Sequence, residues 1–163
     1  MIALVLTAAF SGCPVERATY VLRDTPGVHA RFVPVPRTDS WPSGVAFSVE
    51  PPHHLPRSWW LPWNGGTDEA THLMRTIVRG TPVGGRVDIG FYTFDARWRV
   101  LSRVPRAGEA APPHLFIPEL PVQLVAGNAN ASYGVARAFF DLRGCRPGSI
   151  VEPAADIVMP DIP

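Results

Sequence analysis

At 163 residues the chain has the length of one domain, and 46 % hydrophobic residues are enough to bury a core, so cross-links would assist rather than substitute for it. A net charge of +1, carried by fifteen scattered arginines with no lysine, argues against a nucleic-acid partner. Nineteen prolines interrupt almost every window in which a helix could run, and leave residues 65–80 and 127–144 as the two best.

The chain opens on an apolar run from Ile2 to Phe10 that ends in Ser11, Gly12 and Cys13. Its length suits the hydrophobic region of a bacterial export signal, about 7–15 residues, and falls short of the roughly 20 residues that cross a bilayer as a helix. No later segment is long and apolar enough to span. The first basic residue, Arg17, follows the run instead of preceding it, so a buried N-terminal strand is the alternative. Ala9, Phe10 and Ser11 form a small-x-small site, and cleavage after Ser11 would leave Gly12 and Cys13 at the new terminus. Phe10 to Cys13 also resembles the lipobox of bacterial lipoproteins, departing from it at Phe10, where Leu is favoured. Cys13 thus has three readings: a disulfide with Cys145, lipidation, or a buried free thiol. The first two exclude each other, because both use the sulfur. A bridge would close a loop of roughly 130 residues and contribute about 4–5 kcal/mol on the chain-entropy model.

Residues 13–146 read as a single β domain between the signal segment, 1–12, and a Pro-rich extended or disordered tail, 147–163. Residues 18–23 predict a first strand, Asp24 to Gly27 a turn, and residues 28–35 a second strand with Val28, Ala30, Phe32 and Pro34 on one face. Residues 44–50 alternate Val45, Phe47 and Val49 against Ala46, Ser48 and Glu50, the pattern of a half-buried strand. Residues 58–64 predict a further strand, which Pro62 would make an edge or bulged one. Thr, Ile and Val tip residues 71–78 toward strand. Residues 86–94 and 97–102 predict a hairpin: Val87, Ile89 and Phe91 share a face, met by Trp98 and Val100 across a turn at Asp95–Ala96. Residues 105–113 read as loop and 115–117 as a short strand. Residues 131–142 fit helix or strand spacing and are read as strand.

Few residues point to chemistry. Trp59, Trp60 and Trp63 lie within five positions, with Asn64 and Asp68 just beyond. Indole faces beside amide and carboxylate groups are what sugar-binding surfaces use. In an extended segment Trp59 and Trp63 share one face and Trp60 the other, so only part of the cluster can form a platform, and core filling is the competing role. Gly65 and Gly66 read as a tight turn; no phosphate-loop pattern is present. The five histidines, 29, 53, 54, 72 and 114, are dispersed, and the cysteine spacing is not that of a metal site. No GxSxG nucleophile motif occurs. Asn130 to Ser132 fits a glycosylation sequon, a short and common pattern.

These features predict an all-β domain, a sandwich or flattened barrel with at most one short helix. No catalytic residue, metal or cofactor is expected. On its leader, flanking cysteines and Trp-rich segment the chain resembles small exported proteins of GC-rich proteobacteria that carry no assigned function, a resemblance that transfers no catalytic residues. The expected role is a periplasmic or secreted, non-enzymatic binding or envelope-associated module with a glycan or envelope protein as partner. The alternatives are a small periplasmic hydrolase built on dispersed residues such as His72 and Asp68, and a structural subunit of an envelope complex.

Overall fold

The structure, a computed structural model, describes residues 12–50, 58–64, 71–75, 77–78, 88–125, 138–147 and 157–158. In chain order these form a 3-10 turn (Val15–Arg17), β1 (Ala18–Leu22), β2 (Thr25–Pro34), β3 (Val45–Glu50), β4 (Ser58–Asn64), β5 (Thr71–Arg75), β6 (Ile77–Val78), β7 (Asp88–Gly90), β8 (Tyr92–Phe94), β9 (Val100–Leu101), β10 (His114–Phe116), α1 (Leu120–Val125), β11 (Phe139–Cys145) and β12 (Ile157–Val158). The fold is all-β, as the strand pattern predicts. Ten strands make one curled antiparallel sheet, a half-barrel, in the order β7-β5-β4-β3-β2-β1-β11-β10-β8-β9. The other two, β6 and β12, pair separately, so Ile157 and Val158 of the expected tail are in a ladder.

The curl follows from one stretch of chain. Only Phe91 separates β7 from β8, yet β7 pairs with β5 and β8 with β10 and β9. Residues 88–94 therefore belong to both ends of the sheet and bring them together. Phe91 secures this point. Its N–H donates to the Thr71 carbonyl at 3.0 Å, and its own carbonyl accepts the Thr71 hydroxyl. Its ring lies 6.4 Å from that of Phe32 and 6.2 Å from that of Phe47.

Inward positions of the curled sheet supply the main core. Tyr20, Phe32, Phe47, Trp60, Phe91 and Phe140 are all fully buried, and side chains of this size stabilise by roughly 1.5–3 kcal/mol each when removed from water. The Tyr20 hydroxyl donates to the Pro112 carbonyl at 3.0 Å, and burial pushes its pKa up, so the phenol stays neutral.

A second cluster covers the outside of β2–β4: Val33, Val35, Trp41, Ala46 and Leu61, with Trp59 and Trp63 half-buried against it. Here the sequence reading needs correction. β3 is not half-buried, because Ala46 and Ser48 on its outer side are as buried as Val45, Phe47 and Val49. The connection from β2 to β3 folds Trp41 back over that face. The Trp41 N–H is held by the Thr38 hydroxyl and carbonyl, each at 3.1 Å.

Other boundaries shift for local reasons. The first hairpin turns at Arg23–Asp24, with Leu22 opposite Thr25 and Val21 opposite His29. Pro26 and Gly27 therefore lie in a bulge of β2, a place where a missing N–H is tolerated. β4 is an interior strand despite Pro62. The β3 ladder ends at Trp60, so the proline falls where only β5 still pairs. The one α-helix among the described residues lies outside both proline-poor windows. Pro121 sits in its first turn, where no intrahelical donor is needed. Residues 1–11, 65–70 and 131–137, on which the export leader, the Gly-Gly turn and part of the strand-or-helix reading fall, lie outside the described residues. The remainder of that last segment is strand, β11.

Cys13 and Cys145 form a disulfide with their Cα atoms 5.6 Å apart, so the Cys13 sulfur is occupied in the way that excludes lipidation. Cys13 is buried and Cys145 half-buried against the main core. The bridge is embedded in backbone bonds. Ala111 N–H donates to the Cys13 carbonyl at 2.8 Å, Val15 N–H to Glu109 at 2.9 Å, and Arg146 N–H to Arg17 at 2.9 Å. The 105–113 loop is thereby tied to the start of the domain. Replacing both cysteines with alanine is expected to cost about 2–5 kcal/mol, read as a lower urea midpoint with a steeper slope, because the unfolded chain loses its constraint. A midpoint equal to that of the oxidised wild type would show that the cross-link contributes nothing.

Candidate ligand-binding surface

The tryptophan-rich strand divides as period two requires. Trp60 faces the main core and is fully buried, while Trp59, Leu61 and Trp63 face the second cluster. Trp60 therefore fills the interior and offers no surface. Asn64 is exposed at the strand end, opposite Thr71. Asp68 lies outside the described residues, as do His53 and His54. The carboxylate that meets His72 is Asp88 of β7: its Oδ1 accepts the Trp63 indole N–H at 3.1 Å and lies 3.8 Å from His72 Nδ1. The Trp63 and His72 rings are 5.8 Å apart and tilted by 42°. Among the described residues no group of three or more His, Cys, Asp or Glu is placed to hold a metal ion.

A second outward cluster was not anticipated from the sequence. β8, β10 and β11 are in register, so that Tyr92, Phe116 and Phe139 stand opposite one another in one row, and Phe94, His114 and Asp141 in the next. Phe116 and Phe139 stack at 4.2 Å and use each other's faces. Trp98 lies over the second row. It is not on the core face, as the hairpin reading expects, and neither is Val100; both are exposed. The turn between β8 and β9 is longer than two residues and is organised by Asp95. The Asp95 carbonyl accepts from Trp98 N–H at 3.0 Å, and its N–H donates to the Arg99 carbonyl at 3.0 Å. Its carboxylate accepts from Arg97 N–H at 2.8 Å, Arg99 N–H at 3.0 Å and Arg99 Nε at 2.7 Å. The backbone N–H of Arg99, ahead of the guanidinium, holds the Asp95 carboxyl below the usual carboxylate range.

This turn places Trp98 at φ 62°, the one non-glycine residue with positive φ among those described. Such a conformation costs of order 1–3 kcal/mol and persists only where the surroundings over-determine it. Its result is an indole laid on the His114 ring, 3.9 Å away and nearly parallel, with the Arg23 guanidinium 4.6 Å from the ring centroid. Beside the stack, Asp141 takes Arg23 as a fork, Nε to Oδ2 at 2.9 Å and Nη2 to Oδ1 at 2.7 Å, and His114 Nδ1 at 2.8 Å. The Arg23 bonds come first in holding the Asp141 carboxyl below the usual carboxylate range; burial opposes them, and His114 adds to them. Trp98 keeps 43 % of its surface exposed and Tyr92 39 %.

Among the described residues no hydroxyl or thiol is hydrogen-bonded to His72 or His114, so neither is coupled to a nucleophile. One sequence signal could have exposed this surface. Strand 88–94 needs only Ile89, Phe91 and Thr93 for the core, yet it carries Tyr92 and Phe94 on its other side. No family model matches the chain, and neither a curated protein nor a solved structure is similar enough to carry an argument.

At Trp98 the usual order of alanine and glycine is expected to invert. Trp98→Gly should be more stable than Trp98→Ala by about 1 kcal/mol, because only glycine adopts this φ without penalty; alanine proving the more stable in urea melts would sink the strained turn. Asp141→Asn should cost about 1–3 kcal/mol at neutral pH through the loss of charge-assisted bonds. Because the folded pKa lies below the unfolded value of about 3.9, this stabilisation is complete above that pH and is lost as pH falls through the folded pKa. Stability profiles of wild type and variant should therefore converge in acid, and a constant gap down to the acid limit would contradict the ion network.

Proposed function

We propose that this chain is an exported, non-enzymatic binding module that takes a glycan on its Trp98 face. The observation that carries the reading is the backbone at Trp98: a turn of five hydrogen bonds holds an unfavourable conformation, and its product is a large, partly exposed ring beside fixed charged groups. A ring needed only for packing has cheaper places inside the sheet. Ring faces take the flat C–H side of a sugar, while Arg23, His114 and Asp141 supply donors and acceptors for its hydroxyls. Export is supported by the buried Cys13–Cys145 bridge, since disulfides persist in oxidising compartments, and by the apolar leader read from the sequence.

Two measurements test this. Tryptophan fluorescence titrations against a glycan panel should find a ligand that wild type binds and Trp98→Ala does not, with an unchanged circular dichroism spectrum. Equal binding by the variant would remove Trp98 from the site. The intact mass of protein from its native host should correspond to a chain starting at Gly12 and rise by two hydrogens on reduction. A retained leader would overturn export, and a lipid adduct would overturn the disulfide form.

A further inference from the structure

The two outward clusters are parts of one band, and the seam of the half-barrel joins them. On one side of the seam Trp63 stands opposite His72, and His72 opposite Gly90. On the other, Tyr92 stands opposite Phe116, and Phe116 opposite Phe139. Gly90 and Tyr92 are two residues apart in the same stretch and face the same way. An outward row of rings thus crosses the sheet on both sides of its meeting point and runs beside Trp98.

Gly90 is the one gap in the row, and its backbone does not call for glycine, because the glycines at positive φ are Gly12, Gly44 and Gly108. The reason is space. A Cβ at Gly90 would stand 3.3 Å from Tyr92 Cε2 and 3.4 Å from Glu119 Oε2. The bare backbone leaves room for the edge of the Tyr92 ring, which lies 6.1 Å from the Phe116 ring and is tilted by 30° to it. A carboxylate borders this position on each side. Glu119 Oε2 accepts the Gly90 N–H at 3.1 Å, and Asp88 Oδ1 accepts the Trp63 indole N–H at 3.1 Å. Their second oxygens, Glu119 Oε1 and Asp88 Oδ2, carry no hydrogen bond among the described residues.

Resting on the glycan reading above, we infer that the ligand is an extended, uncharged polysaccharide, and that Tyr92 over Gly90 forms a second subsite for it beyond Trp98. Neighbouring strands repeat at about 4.8 Å, close to the length of one pyranose unit, so a linear glycan laid across the strands keeps step with them. Carboxylates at the second subsite accept hydroxyl hydrogens and repel acidic sugars.

Calorimetric titration with β-1,4-linked N-acetylglucosamine and glucose oligomers, from monomer to hexamer, tests the inference on the full chain. Wild-type affinity should rise by about tenfold or more between the dimer and the longer oligomers. Tyr92→Ala and Asp88→Asn should abolish that rise while leaving dimer affinity within about twofold. Affinity that is flat with length, or a rise that survives Tyr92→Ala, overturns the second subsite while Trp98-dependent dimer binding leaves the glycan reading intact. Tighter binding of a uronate-containing oligomer of the same length overturns the uncharged class. No binding to any oligomer, charged or neutral, overturns the subsite and the glycan reading together.

Discussion

The half-barrel depends on the packing of Phe91. A strand that serves both ends of one sheet must be held where it changes partners, and at that residue two hydrogen bonds, one to the Thr71 carbonyl and one from its hydroxyl, and two aromatic neighbours converge. Neither alone would suffice. Hydrogen bonds to β5 would leave the β8 side unconstrained, and ring packing alone is non-directional. Together they turn a long sheet, which would otherwise expose an apolar face, into one whose inner residues face each other. The Cys13–Cys145 bridge then fastens the segment before β1 to the end of β11, two strands that already pair, so it reinforces the middle of the sheet and not its open margin.

Aromatic residues are used differently on the two sides of this sheet. Inside, the phenylalanine and tyrosine rings meet edge to face or tilted, and the buried Tyr20 hydroxyl is hydrogen-bonded. Outside, two of the tryptophans sit beside carboxylates. Trp63 shares Asp88 with His72, and Trp98 lies beside a carboxylate that both Arg23 and His114 engage. A guanidinium over an indole is favourable at an exposed site by about 0.5–1 kcal/mol, and the strained turn that places the indole there is held by the hydrogen bonds of Asp95.

Strand positions were legible where one face alone is apolar: residues 18–22 and 28–32 have the inward residues that alternation selects. Division of the tryptophan cluster followed from the same period, and the partner of Cys13 was one of the stated alternatives. What was not legible depends on contacts distant in sequence. Burial of Ala46 and Ser48 requires Trp41 and Leu61 to fold over β3. The orientation of Trp98 requires the Asp95 turn and a partner, His114, on another strand. Pro26 and Pro62 misled for a shared reason. A missing donor marks a gap in a ladder, and a gap can lie inside a sheet as well as at its rim.

The double covering of β2–β4 has a further consequence. These strands have apolar material on both faces and a partner on each edge, whereas β9 is a two-residue strand at the end of the sheet, paired with β8 alone, and its Val100 is exposed. The free energy needed to separate a strand from its neighbours is therefore graded around the curl, steep at β3 and shallow at β9. Trp98 sits at the shallow end, where small rearrangements disturb little else, so the strained turn is mounted on the part of the wall that can yield without loosening the rest.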